Sequence, residues 1–241
     1  MSKPMPNYAQ NHAPKQNLGP VLLADLSTEL SLSPGKAHAI DDSVRMPRGQ
    51  EGKKTLLRMN ESHAKSAKIS LAFLQKELGF SPKNIMDIGC GGGANLRALH
   101  ELWPEARLCG FDHSSTALDL SASLNEPLML KGQLGLVLGD VGCMQMQSKY
   151  ELITAFETLY FWPDIKKSLR NVYQALASDS AFFLHLDGGK KETLERWSES
   201  ANLVNKLSCE EILELLAQAG FKDIKSQVQE GGEPFCLLAR K

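Results

Sequence analysis

A glycine-rich segment between a predicted strand and a predicted helix constrains the fold most strongly. Residues 85–95 read Ile-Met-Asp-Ile-Gly-Cys-Gly-Gly-Gly-Ala-Asn, so four glycines follow an apolar run and precede a helical pattern. Glycine permits positive φ angles and lets a ligand approach the backbone, and the amides at a helix start favour polar or anionic groups. A tight turn without a ligand is the simpler interpretation. Because four glycines lower strand and helix propensity too far for packing alone, the segment favours a ligand-binding loop.

Strand-like and helical segments alternate along most of the chain. Strands are predicted over residues 84–88, 107–111, 134–138, 151–156, 181–186, 222–228 and 235–239. Helices are predicted from Asn60, a plausible N-cap, to Leu78 before Gly79, and over residues 94–102, 116–124, 165–176 and 209–219. This alternation predicts right-handed crossovers and a mainly parallel sheet covered by helices on both faces. The last two strands flank Glu-Gly-Gly and should form an antiparallel hairpin.

The N-terminal residues have a different composition from the rest. Six of the eleven prolines lie within the first 47 residues, and residues 1–54 show little sustained periodicity. We therefore expect residues 1–54 to be an extension that is largely disordered or serves as a lid or arm, and residues 55–241 to form the domain.

Composition excludes several classes of protein. The formal charge of −1 argues against a broad nucleic-acid footprint, and no apolar run approaches the roughly 20 residues of a membrane span. The N-terminus lacks the apolar core of a secretory signal. Five cysteines without a CxxC motif suggest neither a disulfide framework nor a cysteine-rich zinc site, and six histidines without HxH or HxxxH spacing predict no metal. We expect a cytoplasmic protein.

Two further acids stand at predicted strand ends. Asp112 ends the second strand, 23 residues after Gly89, and Asp140 follows the third. In nucleotide-binding α/β folds, an acid at the first of these positions accepts hydrogen bonds from ribose hydroxyls. A lone Asp there is otherwise a helix N-cap, a role that Ser114 or Ser115 can fill instead. Asp140 can receive an adenine amine or be a turn residue.

These elements together resemble a known family. The run Asp87-Ile88-Gly89-Cys90-Gly91-Gly92-Gly93 resembles the first motif of class I S-adenosylmethionine-dependent methyltransferases, and dinucleotide dehydrogenases usually lack the acid before the glycines. Gly220-Phe221 before two strands is similar to the end of that family's domain, and the resemblance covers roughly residues 56–241. It implies a Rossmann-like seven-stranded sheet in the order 3-2-1-4-5-7-6, with helices on both faces and a C-terminal antiparallel hairpin.

The resemblance also implies a cofactor, S-adenosylmethionine, with S-adenosylhomocysteine as product. Its methionine part would contact Asp87, Gly89, Cys90, Gly91, Gly93 and Asn95. Asp112 would bind the ribose, and the adenine would lie near His113, Ser114, Asp140 and Val141.

A narrower resemblance concerns the region after the fourth strand. Residues 155–164, Ala-Phe-Glu-Thr-Leu-Tyr-Phe-Trp-Pro-Asp, resemble a string in small bacterial methyltransferases of unassigned substrate. The segment Met-Asn-Glu-Ser-His at residues 59–63 resembles one that precedes their first strand. Residues 177–180 depart from the Pro-Gly-Gly turn that many relatives carry there.

Methyl transfer from a sulfonium needs placement of the acceptor more than a dedicated nucleophile, and a base only where the acceptor holds a proton of high pKa. Glu157 is the candidate base. It could instead hold a cationic acceptor or the sulfonium of the cofactor, or be only an acid favourable to a helix start. Tyr160 either packs in the core or lines the pocket. His63 either lies in the pocket or is a polar residue in the first turn of the first predicted helix. Phe156, at the end of the fourth strand, would flank the cofactor. His185 and Asp187, at the end of the fifth strand, contact the acceptor or are structural.

Two other functions stay open at this point. One is an NAD(P)-dependent oxidoreductase, because Gly89, Gly91 and Ala94 satisfy the pattern G-x-G-x-x-[G/A]. The other is a cofactor-binding regulatory protein without turnover. The expected acceptor is a small molecule rather than nucleic acid or a membrane, and the expected state is a monomer or homodimer.

Overall fold

The computed structural model describes residues 42–147, 149–188, 190–199, 201–228 and 235–241. Its strands are β1 (Asn84–Ile88), β2 (Arg107–Asp112), β3 (Leu134–Leu138), β4 (Tyr150–Phe156), β5 (Leu176–Leu186), β6 (Lys222–Val228) and β7 (Phe235–Arg240). In this described part of the chain, seven strands form one sheet in the order β3-β2-β1-β4-β5-β7-β6. Strands β1 to β5 pair with one another in parallel, and β7 is antiparallel to both β5 and β6. The predicted fold class and strand order are confirmed.

The helices are α1 (Gly49–Ser62), α2 (Ala64–Leu78), α3 (Ala94–Leu102), α4 (Ser115–Leu124), α5 (Glu126–Leu130), α6 (Ile165–Ala175), α7 (Lys191–Ser198) and α8 (Cys209–Ala219). Local sequence sets several of their ends. Ser208 and Glu211 form a capping box at the start of α8, which ends at Gly220 with a φ of 105°. Helix α2 ends at Gly79 with a φ of 74°.

Adjacent residues of the central strands face opposite sides of the sheet. Met86, Ile153, Phe182 and Leu237 pack with buried residues of α6 and α8. Their chain neighbours Ile85, Leu152, Phe183 and Leu238 pack with buried residues of α2 and α3. The sheet is thus covered on both faces, which explains the continuous apolar runs of its strands.

The structure differs from the sequence prediction around β5. Helix α6 ends at Ala175, and Leu176 already pairs with Tyr150, so residues 177–180 lie within a long strand rather than in a separate turn. The register shifts at this point, and Asp179 has a φ of 54°. Asn60, the predicted N-cap of α2, lies inside α1, and α2 begins at Ala64. Helices α1, α5 and α7 were not predicted, because α1 and α7 consist mostly of polar residues and α5 has only five residues.

Residues 42–54, which the prediction placed in the extension, contact the domain. The Gly49 amide donates to Thr116 Oγ1 at 3.1 Å, and Ser114 Oγ donates to the Pro47 carbonyl at 2.6 Å. Residues 1–41, the remainder of that extension, lie outside the described residues. In the described residues, no helix has the length and apolar composition needed to cross a membrane.

Candidate functional site

A cavity of about 630 Å³ lies at the carboxyl ends of β1, β2 and β4 and is also lined by α1 and α2. Most of the predicted site residues line it, namely His63, Gly89, Cys90, Gly91, Asn95, Asp112, His113, Asp140, Val141, Phe156 and Glu157. Ligands of open α/β sheets bind at this end of the strands, where the strand order reverses around the first strand. The fold therefore brings together residues that are far apart in the chain.

The glycine loop is held against the end of β2. The amides of Gly89 and Cys90 both donate to the Phe111 carbonyl, at 2.7 and 3.2 Å, and the Gly91 amide donates to Asp112 Oδ2 at 2.9 Å. A Cβ atom at Gly89, whose φ is 70°, would overlap the Thr158 side chain. The loop amides that the sequence suggested for a ligand are thus partly used within the fold, and the loop offers bare backbone that a ligand can approach closely.

Asp112 is the acid that the cavity wall holds most firmly. It is buried, and its Oδ1 accepts a hydrogen bond from the Ser114 amide at 2.8 Å while Oδ2 accepts the bond from Gly91. Burial raises the pKa of Asp112, although these two backbone donors oppose the shift. A carboxylate has about four acceptor sites, so Asp112 retains capacity for a ligand's hydroxyl groups.

Four predicted site residues do not line the cavity. Asp87 is buried within β1 and accepts a hydrogen bond from Thr154 Oγ1 at 2.7 Å. Burial raises the pKa of Asp87 to about 7, and the bond from Thr154 only partly offsets this. Gly93 lies behind the loop, where its carbonyl accepts from Asn125 Nδ2 at 3.0 Å.

Ser114 and Tyr160 are also turned away from the cavity. Ser114 is the N-cap of α4, where its hydroxyl accepts from the Ala117 amide. Tyr160 is buried, packs edge-on against Trp197 with 5.9 Å between ring centroids, and accepts a hydrogen bond from the Gly188 amide. Both side chains contact the elements around the site rather than the cavity itself.

One side of the cavity is formed by the residues after β2 and β3. His113 Nε2 donates to the Arg45 carbonyl at 2.7 Å, so the segment before α1 closes over this side. Asp140 Oδ1 accepts from the Gly142 amide at 2.6 Å and caps the 3-10 turn Val141–Cys143. Sequence reasoning missed Arg45 and its neighbours because it assigned them to the extension, and no motif marked them.

The other side holds a histidine–carboxylate cluster, formed by His63, Glu157, His185 and Asp187. His63 joins α1 to α2, Glu157 directly follows β4, and the other two lie at the end of β5. Single ligand-type atoms of His63, Glu157 and Asp187 all lie within 4.8 Å of one another. The buried His185 has Nε2 at 3.4 Å from Glu157 Oε1 and 3.3 Å from Asp187 Oδ1.

Local hydrogen bonds hold the cluster in place. Glu157 Oε1 accepts from the Asp187 amide, and the Glu157 amide donates to the His185 carbonyl at 2.9 Å. His185 Nδ1 lies 2.6 Å from Ser70 Oγ, and Ser66 Oγ donates to Asp187 Oδ2 at 3.0 Å. Glu157 has a φ of 56°, an uncommon value for a non-glycine residue that is found preferentially at functional sites. Both serines come from α2, and nothing in the sequence marked them.

Burial shifts the ionisation of the cluster in different directions. Burial and the adjacent Asp187 charge raise the pKa of Glu157 well above its usual range. Burial also acts to raise the pKa of Asp187, but the imidazole of His185 and the hydroxyl of Ser66 outweigh it, and that pKa is lowered. Partial burial lowers the pKa of His63. These shifts favour the ionised form of Asp187, the protonated form of Glu157 and the neutral form of His63.

Comparison with known proteins places the chain in a family. A family model described as a methyltransferase domain matches residues 59–226. Trans-aconitate 2-methyltransferase of Streptomyces avermitilis is 34% identical over 87 residues, which are 36% of this chain and 32% of that protein. Malonyl-[acyl-carrier protein] O-methyltransferase of Priestia megaterium is 22% identical over 170 residues, 66% of this chain and 59% of that protein. The matches thus span less than two thirds of either relative.

Solved structures share the fold at low identity. Human N-acetylserotonin methyltransferase, in complex with S-adenosylmethionine, has a TM-score of 0.63 at 17% identity, with 79% of this chain and 56% of that chain covered. The family match, which spans most of the described domain, agrees with the strand order and with the glycine loop and acid at the cavity. The chain belongs to the class I S-adenosylmethionine-dependent methyltransferases.

Proposed function

We propose that this protein transfers a methyl group from S-adenosylmethionine to a small-molecule acceptor. The observation that carries the proposal is a single cavity that joins the glycine loop and Asp112 at one side to the histidine–carboxylate cluster at the other. Its volume lies within the roughly 300–1,000 Å³ of small-molecule and cofactor sites. The bare loop backbone and the unused acceptor sites of Asp112 fit a nucleoside cofactor.

The residues that would hold the cofactor divide into three groups. Asp112 accepts hydrogen bonds from the ribose hydroxyls. His113, Asp140 and Val141 contact the adenine, with Ser114 fixing the turn beside them. The methionine part lies along Gly89, Cys90, Gly91 and Asn95, while Asp87 and Gly93 hold this loop from behind and Phe156 flanks it.

S-adenosylmethionine supplies an electrophilic methyl group on a sulfonium that leaves as a neutral thioether. The protein's contribution is to place an acceptor atom in line with that methyl group and to exclude water, which removes much of the entropic barrier. Glu157 and His63 face the place where the acceptor would lie, and each can take a proton from an acceptor that carries one. Tyr160, whose hydroxyl is bonded to the backbone after β5, acts as a positioning residue for Glu157.

A small acceptor is supported by the size of the cavity and by the similarity to a trans-aconitate methyltransferase. The malonyl-[acyl-carrier protein] methyltransferases act on a small acyl group that is carried on a protein. Near-neutral charge argues against nucleic acid as the acceptor. An odd number of cysteines without a CxxC motif gives no sign of a disulfide framework, which supports a cytoplasmic location.

The test is to titrate the full chain with S-adenosylmethionine, S-adenosylhomocysteine, NAD and NADP while its melting temperature and heat of binding are measured. We expect both sulfur cofactors to bind and raise the melting temperature by mass action, with no effect of the dinucleotides. Stabilisation by NAD or NADP alone would instead indicate an oxidoreductase. Isotope-labelled methyl donor with a panel of small acceptors then measures turnover, and binding without turnover across the panel would favour a regulatory role.

A further inference from the structure

The histidine–carboxylate cluster has the composition of a metal site. Three elements that are distant in sequence each contribute one group, His63 between α1 and α2, Glu157 after β4 and Asp187 after β5. Nitrogen and oxygen ligands lie about 2.0–2.2 Å from a transition metal, so ligand atoms of one site are about 3–4.4 Å apart. The corresponding atoms here lie within 4.8 Å of one another. Side-chain rotations that move them by about an ångström would therefore bring them to the spacing of metal ligands.

His185 provides a second, independent observation. Its side chain is only 1% exposed, and its Nε2 atom points at the same two carboxylates. This atom forms no hydrogen bond with any described residue, although it lies 3.3–3.4 Å from carboxylate oxygens. A buried ring nitrogen that faces two carboxyl groups without a well-formed hydrogen bond to either calls for an explanation such as a bound ion.

The charge around the cluster also favours a cation. The cavity wall includes Arg45 and Lys68, but within the described chain the ion pairs of Glu157 and Asp187 are with His185 and with neither of these cations. Within the described chain these two neighbouring carboxyl groups thus face the imidazoles of His63 and His185 but no lysine or arginine, so a divalent ion would add positive charge beside them.

We propose that His63, Glu157 and Asp187 bind a divalent transition-metal cation such as Mn²⁺ or Zn²⁺. An imidazole ligand favours these ions over Mg²⁺ and Ca²⁺, which prefer all-oxygen sites, and two carboxylates suit both Mn²⁺ and Zn²⁺. Ser66 and His185 would orient the carboxylates, as groups around metal ligands commonly do. Sequence spacing gave no sign of such a site, because the three groups come from separate elements.

The role of the ion, though not its binding, rests on the proposed function. The cluster lies at the side of the cavity assigned to the acceptor, so the cation would bind an acceptor oxygen and lower the pKa of its hydroxyl group. With Glu157 and His63 engaged as ligands, the acceptor's proton would pass to solvent rather than to either of these two side chains. It would thereby orient a hydroxyl-bearing acceptor toward the methyl donor.

The experiment titrates the metal-free full chain with Mn²⁺ in a buffer containing excess Mg²⁺, and follows the loss of the free-ion signal by electron paramagnetic resonance. Zn²⁺ binding is measured in parallel by calorimetry. We expect one ion per chain, and at least about tenfold weaker binding in His63→Gln, Glu157→Gln and Asp187→Asn. Glu101→Gln is the matched control, because Glu101 lines the same cavity but is not part of the cluster, and it should bind the ion as the wild type does.

Binding of S-adenosylmethionine to each variant, measured without metal, serves as the check on folding. The inference is overturned if the wild type takes up neither ion stoichiometrically, or if uptake survives all three substitutions. In that case, retained cofactor binding would leave the proposed function standing. Conversely, a chain that binds the ion but not the cofactor would overturn the proposed function alone.

Discussion

At the residue scale, Asp112 links the glycine loop to the proposed ribose site. Replacing Asp112 with Ala removes the acceptor for the ribose hydroxyls and also the partner of the Gly91 amide. We expect cofactor binding to weaken by about 1–3 kcal/mol, since polar groups of the bound cofactor would be left unpaired. Calorimetry with S-adenosylmethionine measures this, with Asp119→Ala, an exposed acid of α4, as control. Unchanged affinity in a folded Asp112→Ala variant would contradict the assignment.

Asp87 gives the stability of the protein a specific pH dependence. Its pKa is raised from 3.8 to about 7 in the folded chain, so between these values the native state holds a proton that the unfolded chain releases. The free energy of unfolding should therefore fall as pH rises from about 4 to 7, by an amount on the order of 1–4 kcal/mol from this group.

Denaturant melts of the wild type and Asp87→Asn at several pH values measure this contribution. In Asp87→Asn this side chain does not titrate. The free energy of unfolding of the variant minus that of the wild type should therefore increase as the pH rises to about 7 and stay constant above it. A difference that does not change with pH would show that Asp87 titrates at its ordinary value in the folded chain.

At the element scale, α1 and the residues before it complete one wall of the cavity. Leu56 is buried, and the carbonyls of Arg45 and Pro47 accept bonds from His113 and Ser114. A chain that begins at Lys53 loses the first turn of α1 and both carbonyls. We expect it to bind S-adenosylmethionine more weakly than a chain that begins at Asp42, while circular dichroism shows the sheet intact in both. Equal affinities would mean that this wall does not contribute to binding.

At the scale of the whole molecule, β7 connects the two halves of the core. Leu237 packs on the side of α6 and α8 and Leu238 on the side of α2 and α3, and neither lies at the cavity. Leu237→Ala and Leu238→Ala should each lower the free energy of unfolding by about 2–5 kcal/mol, with cofactor affinity unchanged in the folded fraction. Val228→Ala on β6, where the side chain is 50% exposed, should change it by less than about 0.5 kcal/mol. Equal losses at all three positions would contradict this account of the core.

The sequence alone predicted the elements whose signals are local. Strands β1 to β4 and helices α3 and α8 appear close to their predicted bounds, because apolar periodicity, Ser208 and the glycines at 79 and 220 act through near neighbours in the chain. The strand order came from the resemblance of Asp87–Gly93 and Asp112 to a family, since periodicity cannot specify which strands are adjacent. The prediction differed at residues 177–180, which bulge out between Leu176 and Ala181, the two positions that pair with the start of β4.

Only the tertiary structure decided which residues share the cavity. It joined Arg45 and Pro47 to the wall, turned Tyr160 and Ser114 away, and brought His63, Glu157, His185 and Asp187 into one cluster. These residues carry no common spacing, because the parallel crossovers place strand ends side by side that are separated by many residues of chain. Their burial and mutual charge, which set the raised pKa of Glu157, arise only once the strands are packed.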